Sequence, residues 1–150
     1  MSSVNQKKLY RVIDANLNRA KEGLRVCEDI CRFLYDKKTL TGRYKKLRHE
    51  LTSIIAGLEL TNLIKARDVA GDVGSGSSAI EFKRKNIPDL FYANSQRAKE
   101  SIRVLEEFTK LLDHRRAERL KRLRYQIYVL ERAIVDTMQD AKTWPAPKDR

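Results

Sequence analysis

Apolar residues recur at intervals of three and four along four stretches of the chain, the spacing that keeps them on one face of an α-helix. The pattern predicts helices over residues 4–35, 42–65, 88–112 and 115–140. In the last of these the apolar seam consists of Leu120, Leu123, Ile127, Leu130, Ile134 and Met138. Because the connections within each consecutive pair are short, the prediction is an all-α fold, a four-helix bundle of two antiparallel helical hairpins.

One helical module occurs twice in the chain. Residues 15–30 read ANLNRAKEGLRVCEDI and residues 93–108 read ANSQRAKESIRVLEEF, at a constant offset of 78. The identical pairs are mostly polar: Ala15/Ala93, Asn16/Asn94, Arg19/Arg97, Ala20/Ala98, Lys21/Lys99, Glu22/Glu100, Arg25/Arg103, Val26/Val104 and Glu28/Glu106. A repeat kept only for packing would preserve apolar positions and let charges change. The polar identities therefore predict two related half-sites that face each other.

The repeat continues into the following helix of each half. Six further positions align at an offset of 76: Lys45, Leu47, Arg48, Leu51, Ile54 and Leu58 with Lys121, Leu123, Arg124, Ile127, Leu130 and Ile134. The two hairpins are therefore predicted to be pseudo-symmetric. The change in offset falls where each hairpin turns, and loops tolerate such differences in length.

The chain has the length and composition of one domain. Its 150 residues are 41% apolar and contain only 3 Pro and 6 Gly, which suits a single core. We expect one helical domain over residues 1–140, with halves 4–65 and 88–140, a long functional loop over 66–87, and a flexible tail over 141–150. The polar start MSSVNQKK and the lack of about 18 consecutive apolar residues predict a cytoplasmic protein with no membrane partner.

The two cysteines indicate packing rather than chemistry. Cys27 and Cys31 lie one helical turn apart, and the repeat places Leu105 and Thr109 at the same positions, so we interpret both as small core residues. With only two widely separated histidines in the chain, a zinc site has no support.

The net charge of +12 predicts anionic partners, which could be nucleic acid, a membrane surface or small phosphorylated ligands. The densest basic run, RRAERLKRLR at residues 115–124, lies on the last predicted helix. Because the apolar seam of that helix faces the core, most of these charges fall on its outer face. A solvated helix face explains them without a nucleic-acid partner.

A helical wheel places polar residues of the repeat inside the apolar face. Asn16 and Arg19 fall there in the first copy, and Asn94 and Arg97 do so in the second. Burying an unpaired guanidinium costs on the order of several kcal/mol, so each arginine needs a partner or a polar cavity.

Two interpretations of these residues remain open. In the first, Arg19 pairs with Glu22 or Glu100 in a buried ion network that fixes the register of the bundle. In the second, the bundle interior contains a ligand cavity lined by Asn16, Arg19, Glu22, Asn94, Arg97 and Glu100, in which guanidinium groups bind anions. Arg25 and Arg103 are placed nearer the outer side, where Glu28 and Glu106 pair with them along the helix.

The long loop contains residues suited to phosphate and metal binding. Arg67 and Asp68 precede the stretch GDVGSGSS at residues 71–78, and Lys83 follows it. Glycines let successive backbone N–H groups converge on a phosphate, and Asp68 and Asp72 can present carboxylates to Mg²⁺. The stretch lacks the Lys-Ser/Thr ending of a Walker A loop and follows a helix, which excludes a P-loop fold. A plain linker explains the Gly and Ser residues but not Arg67, Asp68 and Asp72.

Three motifs together carry a family resemblance: RDVAGDVG in the loop, the AN..RAKE..RVLEE helix that follows it, and the earlier copy AN..RAKEGLRVCED. They resemble the short helical hydroxymethylpyrimidine-phosphate kinases of thiamine biosynthesis, a family also found as a domain ahead of thiamine-phosphate synthase. The resemblance covers about residues 10–134. Because 150 residues leave no room for the barrel-type synthase domain, the chain resembles a free-standing member.

The resemblance implies that ATP phosphorylates 4-amino-5-hydroxymethyl-2-methylpyrimidine phosphate to the pyrophosphate used by thiamine-phosphate synthase, the expected functional partner. The acceptor is already an anionic nucleophile, so the enzyme must mainly neutralise and align two anionic substrates. We therefore assign catalysis to Arg19, Arg97 and Asp72, and Mg²⁺ binding to Asp68 and Asp72. The predicted substrate-binding residues are Asn16, Glu22, Asn94, Glu100, Arg67, Gly74, Ser75 and Lys83.

Two alternatives belong to other functional classes. A basic helical nucleic-acid-binding protein would account for the charge but would give the repeated Asn/Arg pairs and the Asp-containing loop no purpose. A non-catalytic module that senses a pyrimidine phosphate would use the same residues without turnover. The sequence leaves open whether the chain is a monomer or a homodimer, which half binds the nucleotide, and which nucleotide is preferred.

Overall fold

The structure, a computed structural model, describes residues 2–58, 60–76 and 84–140. Helices account for most of these residues, and no strand occurs among them, which confirms the prediction of an all-α fold. The five α-helices of the described ranges are α1 Ser3–Asp29, α2 Lys38–Ala56, α3 Leu60–Ala66, α4 Ile87–Thr109 and α5 His114–Asp140, and a π-helical turn, Ile30–Leu34, extends α1. The predicted flexible tail, 141–150, lies outside the described residues.

The second predicted helix, residues 42–65, is wrong in its extent, because the chain forms two helices there and the first begins at Lys38. The break falls at Gly57. The Arg116 guanidinium of α5 lies against the Gly57 backbone and donates a hydrogen bond to the Ile54 carbonyl. A Cβ on residue 57 would collide with this guanidinium. A cation that binds a free carbonyl at a helix C-terminus satisfies one of the acceptors the helix leaves unpaired. A glycine and a distant arginine therefore end α2 together.

α1 lies at the centre of the packing. It contacts α4, α2 and α3, while α5 contacts α4 and α2. The seam predicted for α5 is confirmed at Leu120, Leu123, Ile127, Leu130 and Ile134, each 1% exposed or less. The described part of the molecule contains five helices rather than the four predicted. The arrangement of two hairpins in a four-helix bundle therefore remains a prediction.

α1 and α4 approach each other most closely where small residues meet. A Cβ added to Gly23 would lie 2.7 Å from the Asn94 carbonyl oxygen and 3.3 Å from the Ala98 nitrogen. Further along, Cys27 Sγ lies 3.9 Å from the carbonyl oxygen of Phe91, so the two helices run antiparallel. Small residues at a helix crossing let backbones come closer than the usual interaxial distance of about 8–10 Å.

Each half of the molecule contains the same buried ion pair between consecutive helices. Glu28 of α1 accepts a hydrogen bond of 3.0 Å from Arg48 of α2, and Glu106 of α4 accepts one from Arg124 of α5. Both carboxylates are 2% exposed. The outer position predicted for Glu28 and Glu106 is therefore wrong, because each points inward to an arginine on the next helix.

The predicted pairs along each helix are nevertheless present. Arg25 Nη1 lies 3.5 Å from Glu28, and Arg103 Nη1 lies 3.4 Å from Glu106. Each buried carboxylate thus has one arginine on its own helix and one on the next. Two charged donors per carboxylate offset the cost of removing its negative charge from water.

The cysteines pack as predicted. Cys27 and Cys31 are fully buried and unpaired. Burial raises the pKa of the Cys31 thiol to about 12, and it raises the pKa of Cys27 further still. Since the thiolate is the nucleophile, both thiols are inert in the folded protein.

Replacing Gly23 by Ala is expected to destabilise the protein by about 1–3 kcal/mol, because the new methyl group forces α1 and α4 apart. Gly42→Ala is the matched control, since its Cβ meets no atom within 4 Å in α2, and it should instead stabilise by about 1 kcal/mol through helix propensity. Urea unfolding followed by circular dichroism at 222 nm measures both. Equal stabilisation by the two substitutions would contradict the close approach.

Replacing Glu106 by Gln is expected to cost about 3 kcal/mol of unfolding free energy, because Arg124 would lose its charge partner while remaining 11% exposed. The neighbouring Glu107→Gln serves as the control, since its side chain is 47% exposed, and its effect should be small by comparison. The same urea titration compares them. A loss for Glu107→Gln as large as that for Glu106→Gln would argue against a specific buried pair.

Candidate functional site

An open cleft of about 910 Å³ lies between the N-terminal half of α1 and the segment that follows α3. Its lining combines four cations, four carboxylates and two side-chain amides. The lining residues are Lys8, Arg11, Val12, Asp14, Ala15, Asn16, Asn18, Arg19, Glu22, Arg67, Asp68, Val69 and Asp72. The cleft is therefore a charged surface depression rather than an apolar cavity.

One face of α1 presents its basic residues to the cleft. Lys8, Arg11, Ala15 and Arg19 are three or four positions apart, a spacing that stacks them along one side of a helix. Ala15 is the small residue among them and leaves room for a ligand between the long basic side chains. Three cations on one helix face give this wall of the cleft a positive charge.

The opposite wall, segment 67–72, is fastened to α1 by a bidentate ion pair. Arg67 donates from Nε and Nη2 to the two carboxylate oxygens of Asp14, each at 2.8 Å. Asp14 is 5% exposed, and its hydrogen bonds and negative charge raise the pKa of Arg67. The guanidinium predicted to bind substrate thus has a partner within the protein and positions the segment, while its contact with substrate stays a prediction.

Two aspartates of this segment shape its turns. Asp68 Oδ1 accepts from the Gly71 N–H at 2.8 Å, and Asp72 Oδ1 accepts from the Gly74 N–H at 2.9 Å. A Cβ on Gly71 would collide with the Asp68 carboxylate, so any larger residue here would displace that side chain. The Oδ2 atoms of both aspartates make no hydrogen bond to other described residues and remain available to a ligand.

The structure does not place all predicted loop residues in the cleft. Gly74 and Ser75 lie outside its lining, and both N–H groups point to Asp72, the second to its carbonyl oxygen at 3.4 Å. Both amides are therefore engaged within the loop in this structure, and their binding of phosphate stays a prediction. Lys83 lies outside the described residues.

The predicted interior cavity with buried arginines is wrong. Asn16 is 5% exposed, as the wheel requires, but Arg19 is exposed and Arg97 is 53% exposed. Both arginines stand at the edge of the apolar face, where their long stems carry the guanidinium group into solvent. Arg19 Nη1 lies 3.5 Å from Asn16 Oδ1, so neither acidic partner proposed for a buried network holds it.

The second copy of the repeat contributes little to the cleft. Asn16 and Asn94 use their Nδ2 groups identically, each donating at 2.8 Å to the carbonyl four residues earlier. Asn94 and Glu100 do not line the cleft, and Glu100 accepts from Gln96 at 3.0 Å. Arg97 comes near its edge, with Nη2 at 3.8 Å from Glu22 Oε2. The two half-sites therefore do not face each other across one cavity.

Three charged residues that sequence reasoning missed belong to this site: Lys8, Arg11 and Asp14. All lie before the repeated module, and Tyr92 occupies the position equivalent to Asp14, so comparison of the two copies could not find them. The signal that could have done so is the spacing of Lys8 and Arg11 from Arg19 on the helix.

The two loop carboxylates fit Mg²⁺ better than they fit a metal held by protein alone. Asp68 and Asp72 line the same cleft and each keeps one oxygen available, whereas the described residues contain no group of three or more His, Cys, Asp or Glu that could hold an ion. Mg²⁺ characteristically takes one or two carboxylates and completes its shell with water and substrate phosphate.

Two arginines of the basic run at residues 115–124 form ion pairs or hydrogen bonds within the protein. Arg116 binds the Ile54 carbonyl and Asp113, and Arg124 binds Glu106. These contacts remove two cations from the surface that a nucleic acid would meet. Separately, no helix of the described ranges has an apolar stretch sufficient to cross a lipid bilayer.

Comparison with known proteins relates this chain to enzymes of one pathway. It is 42% identical over 127 residues to a thiamine-phosphate synthase of a Nostoc species, covering 84% of this chain and 35% of the relative. The thiamine-phosphate synthase of Nostoc punctiforme is 39% identical over 140 residues, with coverages of 93% and 39%. That of Rhodopirellula baltica is 36% identical over 135 residues, with coverages of 89% and 36%.

The chain spans little more than a third of the length of these curated relatives. No solved structure matches it significantly. The sequence profile of the ThiD2 family matches residues 11–133, which include most of α1, all of α2, α3 and α4, and most of α5. The chain belongs to the ThiD2 family.

Proposed function

We propose that this chain acts in thiamine biosynthesis as a kinase that transfers a phosphoryl group from ATP to 4-amino-5-hydroxymethyl-2-methylpyrimidine phosphate. The observation that carries the proposal is the composition of the cleft, in which the α1 cations Lys8, Arg11 and Arg19 face the loop carboxylates Asp68 and Asp72. The family and the thiamine-phosphate synthases that match the chain support the choice of pathway.

The lengths of the relatives suggest how this activity serves the synthase. The chain matches only 35% to 39% of each relative, so the synthase reaction itself need not reside in the shared part. A kinase that makes the pyrimidine pyrophosphate would supply a substrate with a good leaving group for joining the pyrimidine to a second ring. Thiamine-phosphate synthase is then the functional partner of this chain.

The proposed reaction requires neutralisation of the substrates' negative charges more than it requires proton transfer. The acceptor is a phosphate whose oxygen is an adequate nucleophile near neutral pH, so the lack of a histidine or cysteine in the cleft lining is no obstacle. Two anionic substrates repel each other, and fixed cations that hold them in line remove this repulsion. In our proposal Arg11 and Arg19 bind phosphate oxygens, and Arg97 approaches the transferring group from α4.

Mg²⁺ bound at Asp68 and Asp72 would screen the negative charge of the ATP phosphates. The chain's own contribution is to keep both carboxylates on one short segment and to fasten that segment to α1 through Arg67 and Asp14. Asn16 and Glu22 lie on the same wall as Arg19, where an amide and a carboxylate can bind the edge of an aminopyrimidine. Closure of the loop over the substrates would exclude water and limit ATP hydrolysis.

The test is ADP release from MgATP by the purified chain with the pyrimidine monophosphate present, absent, or replaced by the unphosphorylated alcohol. We expect release only with the monophosphate, because a cleft with this many cations leaves guanidinium groups unpaired around a neutral acceptor. Tight binding of the monophosphate without ADP release would instead identify a ligand-sensing module. Binding of nucleic acid with steep salt dependence, and no release, would favour the nucleic-acid alternative.

Replacing Arg19 by Ala is expected to lower kcat/KM about 100-fold, the usual effect of removing one charged group that stabilises a transition state. Arg122→Ala, at an exposed position of α5 outside the cleft, is the control and should leave kcat/KM unchanged.

Asp72→Asn should raise the Mg²⁺ concentration required for half-maximal rate, because one metal ligand loses its charge. Wild-type kinetics in either cleft variant would remove that residue from the site, provided its circular dichroism is unchanged.

A further inference from the structure

A small apolar pocket adjoins the charged cleft at the N-terminal end of α1. Its volume is about 380 Å³, and it is lined by Asn5, Lys8, Leu9, Val12, Phe108 and Leu111. Lys8 and Val12 also line the charged cleft, so the two depressions lie side by side along α1. One end of the combined site is apolar, and the other is charged.

The apolar end is made by side chains that helical packing leaves uncovered. Phe108 is 37% exposed, and Leu111, just beyond the end of α4, is 65% exposed. At the repeat position equivalent to Phe108, Ile30 is only 4% exposed. The first copy therefore buries this position, whereas the second leaves an aromatic ring at the wall of a pocket.

The difference follows from how the two copies end. α1 continues past the equivalent position as the π-helical turn Ile30–Leu34, while α4 stops at Thr109. The chain beyond Thr109 leads into α5 at His114, and Leu111 of this short connection lines the pocket beside Phe108. Since the rest of the repeat packs alike in both halves, the uncovered ring is a specific departure from the pseudo-symmetry.

The shape and chemistry of the combined site match a ligand with a planar ring at one end and a phosphate at the other. Small-molecule sites characteristically pair aromatic and aliphatic walls with a few polar groups that fix orientation. Here Phe108, Leu9 and Val12 supply the apolar walls, Asn5 supplies an amide beside them, and Lys8 stands at the junction with the charged cleft.

We infer that the pocket at Phe108 binds the nitrogen heterocycle of a phosphorylated ligand whose phosphate lies among Lys8, Arg11 and Arg19. This inference rests on the proposed function for its choice of ligand class, since both ATP and the pyrimidine phosphate combine a heterocycle with phosphate. Because the two depressions share Lys8 and Val12, such a ligand would lie with its ring toward the end of α4 and its phosphate toward segment 67–72.

The test is isothermal titration calorimetry of the full chain with three probes: ADP, hydroxymethylpyrimidine monophosphate and inorganic pyrophosphate. In Phe108→Ala, the Kd of at least one ring-bearing probe should rise about tenfold, the size expected for loss of one ring-stacking contact. Pyrophosphate binding should be unchanged. The probe that loses affinity identifies whether the nucleotide or the pyrimidine occupies the pocket.

Phe33→Ala is the matched control, because Phe33 is 63% exposed on the π-helical turn and lies outside both depressions. It should leave all three dissociation constants unchanged. Leu111→Ser provides a second variant at an exposed wall of the pocket and should act in the same direction as Phe108→Ala. Circular dichroism at 222 nm checks that each variant retains its helices.

The outcomes separate this inference from the kinase proposal. Three outcomes would overturn the inference. Both pocket variants could bind every probe as the wild type does, they could lose as much affinity for pyrophosphate as for the ring-bearing probes, or the wild-type chain could bind none of the probes. Ring-dependent binding without ADP release would support the pocket and contradict the kinase. Wild-type ADP release with Phe108→Ala constants identical to those of the parent would support the kinase and contradict the pocket.

Discussion

The close contact between α1 and α4 at Gly23 is the constraint on which the placement of the candidate site depends. With the Asn94 carbonyl so close that even a Cβ would be crowded, the two helices have little freedom to slide or separate. α1 carries the cations of the cleft, and α4 carries Arg97 and Phe108. The contact therefore sets how far the charged wall, its edge and the apolar pocket lie from one another.

The buried carboxylates Glu28 and Glu106 explain why charged residues recur in both copies of the repeat. Each joins the first helix of its half to the second through an arginine, Arg48 or Arg124, at a buried position. A lone charge there would be costly, so carboxylate and guanidinium must be retained together. Part of the polar identity between the copies thus reflects the joining of helices, whereas Asn16, Arg19 and Glu22 line the cleft and their counterparts in the second copy do not.

Local sequence patterns predicted the all-α fold, the apolar seam of α5 and the burial of Asn16 and Cys27, because these depend on helical periodicity alone. They failed for Arg19, where the length of the side chain lets the guanidinium reach solvent from the edge of the apolar face. They failed again at the second predicted helix, since the stop at Gly57 depends on Arg116 from α5. Neither outcome can be computed from spacing within one helix.

The sequence by itself determined most of the helices, the internal repeat and the family to which the chain belongs, because each depends on the order and spacing of residues. Tertiary structure alone decided that Asp14 binds Arg67 across 53 positions of sequence, and that the cleft forms beside α1 rather than between the two copies. It also decided that Phe108 remains exposed whereas Ile30 does not. Such features depend on which surfaces meet after folding, and contacts between distant residues leave no periodic trace in a single sequence.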